Sequence, residues 1–192
     1  MKKLNALVLG LLISGSVFAQ TKWTLDKTHS NVGFAVTHMT VAETTGTFNE
    51  YDINVTSPSE DFNNADVQFT AKTATINTQN EKRDGHLKSA DFFEAEKYPE
   101  IKFAGKLVKD GGKYRLRGKL TMKDVTKDVD FDVTYKGTLK TAQFTKAGFK
   151  FVGTINRFDY GLKWDKTVEA GGGLVVGQEV EITANVELNL AK

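Results

Sequence analysis

The feature that most constrains this chain is a period of two that recurs through most of its length. In the last segment Val180, Ile182, Ala184, Val186, Leu188 and Leu190 alternate with Glu179, Glu181, Thr183, Asn185, Glu187 and Asn189. Strict alternation places one row on a core and the other in water, which predicts a half-buried β-strand. The same period runs through Tyr114, Leu116, Gly118, Leu120 and Met122, and again through Val129, Phe131, Val133 and Tyr135. Asp110-Gly111-Gly112 is a turn signal that joins Ile101–Lys109 to Lys113–Lys123 as a hairpin. Further strands are expected over Trp23–Asp26, Val32–Val41, Thr47–Val55, Ala65–Ile76 and Gly148–Arg157. Neither of the two prolines, Pro58 and Pro99, interrupts one of these segments.

From Asn80 to Lys97 the period is lost and helix formers take over. Asp91 followed by Glu94 has the spacing of a capping box, and Tyr98-Pro99 ends whatever precedes it. A short helical insertion between two strands is therefore expected. The loop from Asp165 to Gln178, with Gly171-Gly172-Gly173, reads as a rim rather than a domain boundary. Long antiparallel strands with one apolar face leave two architectures, a closed barrel and a sandwich, and strand length favours the barrel. Composition does not distinguish a filled interior from a hollow one, although the inner row is rich in phenylalanine.

The N-terminus has a basic start at Lys2-Lys3, an apolar stretch from Ala6 to Ile13, and Val17-Phe18-Ala19 as a small-residue cleavage site. That order predicts a signal peptide over residues 1–19, cut after Ala19, followed by a single domain over 20–192. The apolar stretch is too short to span a bilayer. No cysteine is present for a lipid anchor, a disulfide, a thiol nucleophile or a thiolate ligand. The signal carries two lysines and no acid, so the remaining 24 basic and 24 acidic residues balance. A neutral chain has no bulk electrostatic reason to seek nucleic acid.

The three histidines, His29, His38 and His86, raise the alternative of a metal-dependent enzyme, since three imidazoles are a known zinc set. None has ligand spacing, and neither a nucleophile elbow nor a phosphate-binding glycine loop is present. The residues do not support catalysis. Arg115, Arg117 and Lys119 opposite Asp128, Asp130 and Asp132 leave open a protein-docking face on a filled barrel, or simple cross-strand neutralisation on a wet sheet.

Several short runs carry a resemblance when taken together. Asp26-Lys27-Thr28-His29-Ser30, with Phe34 and His38 after it, is similar to the N-terminal signature of the YceI-like family of periplasmic proteins. So are Arg83-Asp84, His86-Leu87, Asp91-Phe92-Phe93, Tyr98-Pro99, Ile101 and Phe103, and then Gly118-Lys119-Leu120-Thr121 with Val125-Thr126-Lys127. Arg157-Phe158-Asp159-Tyr160-Gly161-Leu162 and Gly177-Gln178-Glu179-Val180 complete the series in the family's order. Lys27, Asp124 and Glu50-Tyr51-Asp52 depart from the family's usual residues, in ways that bear on local turns.

The resemblance implies an eight-stranded, antiparallel, lipocalin-like barrel that holds a polyisoprenoid, an isoprenoid quinone or a fatty-acid-like lipid. It also implies a periplasmic location, no cofactor and, in many members, a homodimer. On that basis the ligand tail is expected among Phe34, Val36, Phe48, Phe69, Phe103, Phe131 and Phe151, with Phe92, Phe93 and Trp164 as lids or walls. Head-group candidates are His38, Arg83, His86 and Arg157, because an arginine fork suits a phosphate or carboxylate and a neutral imidazole suits a hydroxyl or quinone oxygen. Each has a structural alternative. Arg157 could be fixed by a nearby carboxylate, Arg83 could pair on a helix surface, His86 could be helix packing, and His38 could be a hydrogen-bonded core residue.

Overall fold

The alternating segments pair with their neighbours in antiparallel register. The structure is a computed structural model that describes residues 20–167 and 174–191. The expected signal peptide and the Gly171–Gly173 run lie outside the described residues. The strands are β1 (Thr21–Leu25), β2 (Asn31–His38), β3 (Ala42–Phe48), β4 (Tyr51–Ser57), β5 (Ala65–Lys72), β6 (Ile76–Asn77), β7 (Glu100–Asp110), β8 (Lys113–Met122), β9 (Val125–Lys140), β10 (Thr145–Asn156) and β11 (Val176–Leu190). One α-helix, α1 (Glu81–Lys88), precedes β7.

Eleven segments make an eight-stranded ring because three of its strands are broken. β1 and β2 both pair with β11, β3 and β4 turn about Asn49-Glu50, and β5 and β6 are split by a 3₁₀ turn at Thr73–Thr75. β1 pairs with β4 on one side and with β11 on the other, which closes the barrel. The three breaks lie side by side. The Asn49 amide donates to the Thr75 carbonyl at 3.1 Å, the Lys72 amide to the Glu50 carbonyl at 2.9 Å, and the Tyr51 hydroxyl to the Ser30 carbonyl at 2.7 Å. Backbone groups freed from the ladder are thus satisfied locally. The segments Thr47–Val55 and Ala65–Ile76, expected as single strands, are each two strands meeting at a corner. The inward row changes phase at each break, from Gly46 and Phe48 to Ile53 and Val55 and from Ala71 and Thr73 to Ile76 and Thr78, a slip that the expectation of single continuous strands passed over.

α1 starts earlier than the Asp91–Glu94 spacing suggests. Asn80 caps it, its side chain accepting from the Arg83 amide at 3.0 Å, and residues 91–97 form turns. Asp91 accepts from His86 Nε2 at 2.9 Å instead of capping a helix. The insertion leaves at β6 and returns at β7, across one end of the barrel.

The two ends differ. At the end where β4 meets β5, Phe62 is fully buried, with ring centroids 4.9 Å from Trp23, 5.0 Å from Phe149 and 5.7 Å from Tyr135. This aromatic plug fills the lower barrel. On the outer surface Arg115 and Arg117 both pair with Asp130, at 2.9 and 3.2 Å, and Lys119 pairs with Asp128 at 2.9 Å. Cross-strand neutralisation accounts for these rows.

Candidate functional site

Above the plug the barrel is hollow. A cavity of about 180 Å³ is lined by apolar side chains from both halves of the chain, and Arg157 is the one charged residue on its wall. Its size matches an engineered apolar cavity of ~150 Å³ that stays dry and takes benzene. A second space of about 520 Å³ lies at the mouth and shares Phe34, Val36, Leu87, Phe92 and Val176 with the first.

The hollow has an identifiable cause in the placement of glycines. Phe34 stands opposite Gly46 across β2 and β3, and a Cβ on Gly46 would lie 2.4 Å from the Phe34 ring. A Cβ on Gly153 would lie 2.4 Å from the Phe131 ring, and one on Gly105 or Gly118 would lie 2.6 or 2.7 Å from the Phe103 ring. Three phenylalanine rings thus occupy space on the wall that a side chain at these glycines would fill. Their rings contribute apolar surface to the cavity lining.

Of the residues expected around a tail, Phe34, Val36, Phe48, Phe69, Phe92, Phe93, Phe103, Phe131 and Phe151 line the cavity, and Trp164 lines the mouth. Leu87 of α1 and Val176, Val180 and Ile182 of β11 line the cavity as well and were not singled out from the sequence. Val180 and Ile182 carried a signal in the alternating row and Leu87 in the His86-Leu87 run, whereas Val176 had neither.

The polar candidates separate. His38, Arg83 and His86 meet at the mouth, together with Lys82, which the sequence did not distinguish from other surface lysines. Arg83 Nε donates to Thr78 Oγ1 at 2.7 Å and its Nη2 to the Thr78 carbonyl at 2.9 Å. Thr78 is held in turn by Asp84, to which it donates from both its amide and its hydroxyl. This leaves Arg83 Nη1 without a partner among the described residues. His86 packs edge-on against Phe92 and Trp164, at 5.1 and 5.2 Å between ring centroids.

Arg157 has a different role. It is 3% exposed, and its guanidinium donates to the carbonyls of Gly177, Leu162, Trp164 and Val176 at 2.8, 2.5, 2.8 and 2.9 Å. It lies over the Phe158 ring at 4.6 Å. Burial pushes its pKa down, opposed weakly by Asp165. Four of its five N–H groups are engaged. The side chain ties the segment after β10 to the start of β11, using carbonyls rather than the carboxylate expected from the sequence.

The three histidines do not come together. His29 lies at the β1–β2 break, where Asp26, His29 and Glu187 form the one group of potential metal ligands among the described residues. Lys146 Nζ already sits between Asp26 and Glu187, at 2.8 and 2.5 Å. An ammonium in that position disfavours a second cation.

Fold and site together define a closed antiparallel barrel with one plugged end and an apolar cavity that opens through a cationic mouth. The chain belongs to the YceI-like domain family, which matches residues 23–188. A UPF0312 protein of Staphylococcus aureus is 34% identical over 176 residues, spanning 90% of this chain and 99% of its own length. The YceI protein of Campylobacter jejuni is 30% identical with a TM-score of 0.69, covering 88% of this chain and 98% of that one. A polyisoprenoid-binding domain from Saccharophagus degradans has the same fold at 16% identity, with a TM-score of 0.63 over 88% of this chain and 98% of that one.

Proposed function

We propose that this protein is an exported, periplasmic carrier or sequestering protein that holds one long-chain amphiphile, of the polyisoprenoid, isoprenoid-quinone or fatty-acid-like class. The observation that carries this reading is an apolar cavity whose one charged lining residue, Arg157, is taken up by backbone carbonyls, continuous with a mouth that carries His38, Lys82, Arg83 and His86. The Saccharophagus domain, described as polyisoprenoid-binding, supports it. The inner space is too small for a long chain alone, so the tail runs from the cavity through the mouth. Burying about twenty methylene-like carbons contributes ~16 kcal/mol gross at ~0.8 kcal/mol each. Association and ordering offset about 4–15 kcal/mol of that. Affinity therefore resides in the tail, and selectivity in the head group.

The tail packs among Phe34, Val36, Phe48, Phe69, Phe103, Phe131 and Phe151, with Phe92, Phe93 and Trp164 over it. Arg83 Nη1 faces the head group with His38 and His86, which suits a phosphate, carboxylate or quinone oxygen. Arg157 holds the wall in shape. No step in this function requires a cofactor or a covalent reaction.

Native mass spectrometry of the mature protein from its own cell envelope, followed by solvent extraction, tests the proposal. A stoichiometric lipid that is lost in Phe103→Glu and Phe131→Glu variants with unchanged circular dichroism is the expected result. A protein that is empty, and stays empty when offered a polyprenyl phosphate, ubiquinone and a long-chain fatty acid, would overturn it.

A further inference from the structure

The mouth carries an apolar projection that the described residues leave exposed. The turn between β2 and β3 exposes 86% of Val41 and 44% of Met39. Met39 and Thr40 have φ of 47° and 64°, in the left-handed region where asparagine or glycine is the inexpensive choice. A methionine and a β-branched threonine thus hold a strained turn with apolar side chains in water on both sides of its tip. The tip is not loose. The Met39 amide donates to the Val175 carbonyl at 2.9 Å, which fixes it beside the start of β11. His38, the residue before it, lines the mouth with Lys82 and Arg83, and among the described residues no carboxylate lines the mouth. Of the acids on the adjoining insertion, Asp84 is engaged by Thr78 and Asp91 by His86. Glu43 on β3 and Glu81 on α1 are exposed but do not line the mouth.

We propose that this hairpin tip docks the open end on a phospholipid bilayer, with Met39 and Val41 entering the interface and Lys82 and Arg83 meeting lipid phosphates. The inference rests on the lipid-carrier reading and adds the route by which the ligand enters. A tail of about twenty carbons is disfavoured in water by roughly eleven orders of magnitude, so loading from solution would be very slow. A mouth pressed against the membrane removes that aqueous step. A bilayer fits this surface better than a second copy of the chain does. A stable protein interface buries about 800 Å² per partner, far more than two side chains supply, whereas weak reversible membrane docking needs only a small apolar insertion aided by a few cations.

The test compares wild type with a Met39→Asp/Val41→Asp double variant and a conservative Met39→Leu/Val41→Ile control. Binding of cis-parinaric acid from buffer reports the cavity. Cosedimentation with mixed phosphatidylethanolamine–phosphatidylglycerol vesicles, and the rate of transfer of the same probe out of them, report docking. The acidic variant should bind the probe from buffer as wild type does, yet load from vesicles about tenfold more slowly or worse, while the control behaves as wild type. Equal vesicle loading by all three proteins would overturn the docking inference and leave the carrier reading intact. Failure of wild type to bind the probe from buffer would instead count against the carrier reading. A tip substitution that converts a dimer to a monomer, with no vesicle binding by wild type, would assign the surface to a second copy and overturn the inference.

Discussion

Gly153 and Phe131 decide between a hollow and a filled barrel as directly as any pair in this protein. A Cβ on Gly153 would fall 2.4 Å from the Phe131 ring, so a Gly153→Ala variant must displace that ring or the β10 backbone, and a ring displaced into the bore would narrow it. Overpacking of this kind destabilises by about 1–3 kcal/mol. Gly153→Ala should lose stability in that range and also weaken lipid retention. Adding Phe131→Leu should restore retention, which a double-mutant cycle on thermal stability and ligand content can read. If retention is unchanged in Gly153→Ala, the ring does not guard the bore. Arg157 makes a contrasting prediction. Substitution by methionine strands the carbonyls of Leu162, Trp164, Val176 and Gly177, and should destabilise by about 3 kcal/mol or more. Lysine should rescue little, because one ammonium cannot span four acceptors arranged around a planar fork. Denaturant unfolding of the two variants checks both statements. The importance of Arg157 was legible in its motif, but its partners were not: Leu162 and Trp164 lie close in sequence yet offer backbone carbonyls rather than side chains, and Val176 and Gly177 come from 19 and 20 residues away.

At the scale of elements, the row of broken strands is where acid should act first. Asp26 lies at the β1–β2 break, and its bond from Lys146 holds its carboxyl well below the usual range, with Thr28 and His29 assisting. Glu100, at the start of β7, is lowered from 4.5 to about 2, first by Lys72 and then by Lys102. A carboxyl depressed in the folded state stabilises above its unfolded pKa, and that contribution is lost as pH falls through the folded value. Stability should therefore be flat near neutrality and fall from about pH 5 downward. Lys146→Met should be less stable at pH 7 and show a shallower acid loss between about pH 5 and 2. Thermal melts across that range check it, and parallel curves for the two proteins would show that the Asp26 linkage is not what titrates. The sequence foresaw these elements better than their joints. Alternation located β7 and β8 to within about a residue, whereas β9, β10 and β11 extend three to five residues beyond the rows read from the sequence. In the first half, the inward row changes phase at Asn49-Glu50 and again at Thr73–Thr75, so each corner left a mark in the sequence, but a one-residue slip does not by itself separate a corner from a bulge. The helix was expected in the right segment but at the wrong turn, since Asn80 at the cap gave a weaker signal than Asp91 and Glu94.

For the whole molecule, the asymmetry between a plugged and an open end is the property on which function rests. Phe62, from the loop between β4 and β5, has no place in any alternating row, yet it is fully buried against Trp23, Tyr135 and Phe149. Phe62→Ala should cost about 3–5 kcal/mol and extend the apolar space toward the lower end. A variant that folds should then admit a bulkier or longer tail, measurable by mass spectrometry of extracted ligand. An unchanged ligand profile in a folded variant would mean that the plug does not set the depth. The sequence by itself determined the antiparallel class, the face each strand turns inward, the phenylalanine-rich lining and the place of the helical insertion. Each of these follows from local periodicity and residue chemistry. Only the tertiary structure decided that the barrel is half hollow, that His38, Arg83 and His86 share one mouth while His29 does not, and that Arg157 is bound up in backbone carbonyls. Those outcomes depend on which distant residues face each other across the closed ring, and a period of two fixes the side on which a residue lies without fixing what lies opposite.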